Sequence, residues 1–310
     1  MSSRRWRSRP LTTTRTSRSG PSPTTPDLRP SLRDREHRAD PQHRSRARGA
    51  GDLRGAGRGR PGAAESGEVD LGLALQADPP DPYHNFPLFT SLGGYVFGQE
   101  DDGTYIPSDL GIDSEGGLTA AAKFSEWVES GLINPDVTYD VMVDSFASGN
   151  AAFAITGPWA VAQEEPPGFR AQGVPYEVTP IPPVDGGTPQ PFVGVQGFMV
   201  SSFAENPLLA QTFLTDFMAT EEAHLALFEA GARPPALIAA FEQVADDPDV
   251  QGFGESGAEG VPQPAIPEMG SVWSAWTDAY ALIYSGQGDP RENFSNAGEQ
   301  IRTLISSGED

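Results

Sequence analysis

From residue 69 onward, short strand-like runs alternate with helical stripes. Val69–Leu75 alternates apolar and polar positions, which is strand period. Ala151–Thr156 does the same, with Ala151, Phe153 and Ile155 on one side. Gly157-Pro158 breaks that strand, since proline has no N–H for a ladder and glycine permits a sharp turn. Trp159 follows at the strand's carboxyl end, where a new helix starts. Further strands are expected at Tyr105-Ile106 after an Asp102-Gly103 turn, at Val174–Ile181, and at Phe192–Val200.

Helical stripes fill the intervals. Leu118, Ala121, Ala122, Phe124, Trp127 and Val128 share a face, with Asp113 or Ser114 as cap and Gly131 as stop. Trp127 on that stripe reads as core. Met142, Val143 and Phe146 form the apolar side of Tyr139–Ser148. Asn206-Pro207 is a cap followed by an N1 proline, opening a helix with Leu209, Ala210, Phe213, Leu214, Phe217 and Met218 on one face. Thr220 caps another helix, and Pro235–Val244 is a short one. Val272, Trp276, Tyr280 and Ile283 point inward from a helix after a proline-rich link. Asp289-Pro290-Arg291-Glu292 is a capping box opening the last helix. The alternation indicates an α/β protein.

Charge divides the chain in two. Residues 1–62 hold 16 Arg against 5 acidic residues, a net of +11, while residues 63–310 hold 5 basic and 38 acidic residues, a net of −33. The acidic body would repel nucleic acid and anionic membrane surfaces. Residues 1–62 carry few large apolar side chains, so they are expected to be disordered. They contain no apolar run of signal-peptide type. A basic arm for nucleic acid and a contact with an acidic body are both open readings. Lysine-free Arg/Gly/Pro-rich text also fits a GC-rich gene read out of frame or from the wrong start, and residues 1–64 are assigned to that. The chain has no cysteine, so thiolate chemistry is excluded, and its four histidines lack metal-ligand spacing.

Phe146, Gly149, Ala152, Phe153, Ile155, Gly157, Pro158 and Trp159 resemble, at matching spacing, a motif of the sugar-binding proteins of bacterial ABC importers, the maltose-binding-protein family. Asp81-Pro82-Tyr83-His84-Asn85-Phe86-Pro87-Leu88 resembles the family's cleft loop, and Ile266-Pro267-Glu268-Met269 with Trp273 its last aromatic motif. The resemblance covers roughly residues 66–308. It implies a periplasmic-binding-protein-like two-lobe fold of type II. One lobe would be nearly complete and the other only partly present. Residues 65–190 with 262–310 would form the second lobe, and 191–261 a remnant of the first with its hinge strands.

The same resemblance implies that Trp159 and Trp273 stack on sugar, that Tyr83 offers a ring face, and that Asp81 accepts hydroxyl hydrogen bonds. His84 stands where the family has an aromatic that also touches ligand. From the residues themselves, Trp159 and Trp273 also read as core, and Asp81 with Tyr83 as a loop acid and a core tyrosine. The expected function is carriage of a mono- or oligosaccharide to a membrane permease, outside the cytoplasm. The protein would act as a monomer, with no catalysis, cofactor or metal. A glycoside hydrolase pairs aromatics with carboxylates too, but no acid/nucleophile motif is recognisable. A basic-armed nucleic-acid binder conflicts with the acidic body.

Overall fold

The computed structural model describes residues 70–164 and 167–308, so the segment expected at 1–64 lies outside the described residues. Strand β1 (Leu71–Ala74) pairs in parallel with β4 (Ala151–Ala154), Leu71 opposite Ala151 and Leu73 opposite Phe153. Strands β2 (Phe97–Gln99) and β3 (Tyr105–Leu110) form an antiparallel hairpin, turned at Gly103 with φ of 85°. Strands β5 (Phe192–Val193) and β6 (Val261–Pro262) form a short parallel pair.

Asp81–Leu88, expected as a loop, opens helix α1 (Pro82–Ser91) instead. Asp81 caps it, its Oδ1 accepting from the Tyr83 N–H at 2.9 Å, and Pro82 sits where a missing N–H costs nothing. Helix α2 (Glu115–Glu129) is capped by Ser114. Asp113 takes the Arg302 guanidinium in a bidentate pair at 2.7 and 2.8 Å. Helix α3 (Tyr139–Ala147) follows, capped by Thr138.

Short helices α4 (Trp159–Ala162) and α5 (Phe169–Gln172) come after β4. Helix α6 (Pro207–Phe213) runs into a π-helical turn, Leu214–Met218. Then come α7 (Glu221–Gly231), α8 (Ile238–Val244) and α9 (Pro248–Gly257). The last two are α10 (Trp273–Tyr284) and α11 (Pro290–Ser307).

Two apolar clusters hold these elements. The larger joins α1, α2, α10 and α11 around the fully buried Phe89, Phe124, Trp276, Tyr280 and Phe294. Their rings meet edge to face: Phe89–Trp276 at 5.0 Å, Phe124–Tyr280 at 5.0 Å and Tyr280–Phe294 at 5.1 Å. Burying each such side chain stabilises the fold by about 1.5–3 kcal/mol before the edge-to-face term. The smaller cluster joins β1, β4, α3, α4 and α5 through Ala74, Met142, Val143, Val161 and Phe169, with Ala232 from the end of α7.

The strand expected at Val174–Ile181 is absent. Pro175, Pro180, Pro182 and Pro183 remove ladder donors there, and the segment is held by side chains. The Tyr176 hydroxyl donates to Asp249 at 2.8 Å, and Val178 packs so closely on Gly252 that a Cβ there would meet the Val178 carbonyl oxygen at 2.4 Å. Of the strand expected at Phe192–Val200, only Phe192–Val193 pairs. Beyond Val193 no described strand lies alongside, and Val195 and Met199 are 88% and 94% exposed. The Leu209–Met218 stripe forms as read but buries nothing.

Candidate aromatic ligand site

Two parallel strand ends and one helix start build the site. Strand β4 runs out through Thr156, Gly157 and Pro158 to Trp159, the first residue of α4. The indole lies directly over Gly157, where a Cβ would come within 2.0 Å of the ring. Glycine is therefore required here by close approach rather than by dihedral freedom. Helix α1 begins near the end of β1, so Asp81, Tyr83 and His84 arrive beside Trp159.

The rings form a connected series. Tyr83 and Trp159 meet edge to face with centroids 5.9 Å apart, and His84 meets Trp159 at 5.8 Å. Tyr83 continues to Phe192 at 5.3 Å, and Phe192 to Trp273 at 6.2 Å. Phe192 is itself stacked flat on Phe86 at 3.6 Å. It is brought there because the end of α1 holds the segment ahead of it. Ser91 Oγ accepts from the Val184 N–H and Thr90 Oγ1 from the Gln190 N–H, each at 2.8 Å.

Tyr83, Trp159 and Trp273 are half-buried, so each keeps some ring surface open. His84 is 6% exposed and has little surface to offer. Its Nδ1 meets Asp81 Oδ2, and its Nε2 lies 3.4 Å from Thr156 Oγ1. Asp81 thus serves its own helix with one oxygen and His84 with the other. The Tyr83 hydroxyl is pushed up from its ordinary pKa by burial, and next by the Asp81 charge. Burial also raises Tyr139, whose hydroxyl donates to Gln163 Oε1 at 2.5 Å behind Trp159. Both phenols stay protonated donors at neutral pH.

The structure brings Asp81, Tyr83, His84 and Trp159 into one group and joins Trp273 to it through Phe192. Phe192 was not read as a site residue. Its signal in sequence was only an apolar strand, because the contact with Tyr83 spans more than a hundred residues. Trp127 and Trp276 are core, as their stripes indicated. Among the described residues no group of three or more His, Asp or Glu could hold a metal ion, and no helix is long and apolar enough to cross a membrane. Half-buried rings in contact with one another suit a ligand with flat apolar C–H faces and many hydroxyls.

Residues 65–252 match the family model described as "Bacterial extracellular solute-binding protein". The chain is 30% identical over 236 residues to the galactooligosaccharide-binding protein of Bacillus subtilis (strain 168), covering 73% of this chain and 54% of the relative. It is 26% identical to the maltodextrin-binding protein MdxE of the same organism, covering 72% and 52%. It thus spans about half the length of the curated relatives it matches. Among solved structures, a Thermus thermophilus maltotriose binding protein bound with maltotriose superposes with a TM-score of 0.67 at 29% identity, covering 75% of this chain and 61% of that one. A cyclo/maltodextrin-binding protein complexed with maltotetraose superposes with a TM-score of 0.63 at 28% identity, covering 75% and 59%.

Proposed function

This chain belongs to the bacterial extracellular solute-binding protein family, and from that premise we propose that its aromatic group binds the sugar units of an oligosaccharide. The observation that carries this is the ring series itself: Tyr83, Trp159 and Trp273 come from three separate segments and stay half-buried. Each such ring buries ~150–250 Å² in all, enough together for a disaccharide-sized ligand. Asp81 and His84 stand at the edge of the same group.

The protein carries sugar without transforming it and hands it to the permease of an ABC importer outside the cytoplasm, acting as a monomer. In this reading residues 65–190 and 262–310 make one lobe. Residues 191–261 belong to the other, with β5 and β6 at the hinge. Closing the lobes on ligand is the signal the permease reads. Relatives whose names state galactooligosaccharide and maltodextrin binding support the substrate class.

The test is tryptophan emission during titration with malto- and galacto-oligosaccharides. A saturable shift is expected. It should weaken about tenfold or more in Trp159→Ala, Trp273→Ala and Gly157→Ala, the last because a methyl displaces the indole. If the unmodified protein gives no saturable response to either series, the reading fails.

A further inference from the structure

We propose that His84 is a positioning residue of the ring group, held as the Nδ1–H tautomer, which sets the angle between Tyr83 and Trp159 instead of meeting the ligand itself. The inference rests on the function proposed above for what the ring group binds, but its geometry stands independently. Three observations carry it.

First, His84 is nearly sealed, so its ring has little face to offer a ligand. Second, both imidazole nitrogens have partners from different parts of the chain. Nδ1 meets the Asp81 carboxylate at the start of α1, and Nε2 lies 3.4 Å from the Thr156 hydroxyl beyond β4. A carboxylate oxygen accepts, so the proposed tautomer carries its proton on Nδ1, which leaves Nε2 to accept from the Thr156 hydroxyl. Third, the ring's edge contact with Trp159, at 5.8 Å and 73°, puts it directly against the indole that Gly157 admits.

His84 therefore ties together the two segments that deliver Tyr83 and Trp159. Neither bond depends on a ligand being present. Asp81 completes the arrangement, since the oxygen that does not face His84 accepts from the Tyr83 N–H. A change at His84 reaches the ligand only through the two aromatic rings and the cap.

Long-range proton–nitrogen NMR of the imidazoles in the unmodified protein tests the tautomer, with His84→Asn identifying the signal. A protonated Nδ1 and an unprotonated Nε2 are expected. An Nε2–H tautomer overturns the proposal. Three variants test the role. His84→Asn keeps a donor near Asp81, His84→Gln keeps an acceptor near Thr156, and His84→Phe keeps a ring but neither bond. The near-ultraviolet circular dichroism of tryptophan should change most in His84→Phe and be partly restored in His84→Asn. Affinity for maltotriose and maltotetraose should fall about tenfold in His84→Phe and recover in His84→Asn. Equal loss in all three variants, or none in any, overturns the proposal. Should His84→Phe fail to fold, the His84→Asn spectrum and the tautomer decide. If the unmodified protein ignores every oligosaccharide, the function proposed above falls, while tautomer and dichroism still judge His84.

Discussion

Helix α10 and helix α6 carry stripes of the same kind, and the structure treats them in opposite ways. In α10, Trp276, Tyr280 and Ile283 are buried among α1, α2 and α11. In α6 and its π-helical extension, Leu209, Phe213 and Phe217 are exposed, as are Phe198, Met199 and Phe203 just upstream. Among the described residues, twelve of the fifteen exposed large apolar side chains lie between Val193 and Phe241. Periodicity thus reports which face a helix would bury, while burial itself depends on a second element lying across it. So many exposed apolar side chains in one segment are an association hazard.

The widest separation between the two regions should come from truncating a ring. Trp276→Ala leaves a large cavity and is expected to cost about 3–5 kcal/mol, whereas Phe217→Ala should stay within about 0.5 kcal/mol. Urea unfolding of both variants measures the contrast. An equal loss would mean that the α6 stripe is covered in solution.

Helix starts give a smaller contrast. Asp289 accepts from the Arg291 and Glu292 N–H groups, but Asn206 makes no side-chain cap bond. Asp289→Ala should therefore cost about 1 kcal/mol and Asn206→Ala close to nothing, again by urea midpoint.

A contrast silent at neutral pH lies at the seam between residues 169–178 and 247–253, and shows only at high pH. There Arg170 pairs with Asp247 at 2.9 Å and Asp249 at 2.7 Å, and Tyr176 donates to Asp249. Burial first, and the Asp249 bond second, push the Tyr176 phenol up to about 12. A raised pKa contributes stability that is complete below the unfolded value near 10 and is lost as pH climbs through 12. Stability should thus decline between pH 10 and 12, and Tyr176→Phe should make that decline shallower in chemical denaturation.

Much of the fold was legible where signals were local. The caps at Thr220 and Asp289, the Asp102-Gly103 turn, and Trp127 as core all follow from near neighbours. The same cap-plus-proline signal stands at Asp81-Pro82 and Asp247-Pro248, yet neither was read as a helix start. Pro87 interrupts the first, and Gly252, Gly254 and Gly257 dilute the propensity of the second. The strands expected at 174–181 and 194–200 do not form, because apolar alternation cannot say whether a neighbour exists. In the site, the residue types at Tyr83, Trp159 and Trp273 were legible. Their connection through Phe192, and the engagement of both Asp81 oxygens, were not. Those depend on contacts between distant segments.

The parallel pairing of β1 with β4 also has a temporal side. Leu71 leaves the ribosome about 80 residues before Ala151, its partner. At about 5–20 residues per second that interval is roughly 4–16 s. Helix α1, with Tyr83 and His84, is made early in it and must wait for Trp159 and Thr156. The ring group is therefore assembled late, by closing a long loop, and the nascent chain passes through a stage in which half of it has nothing to stand against.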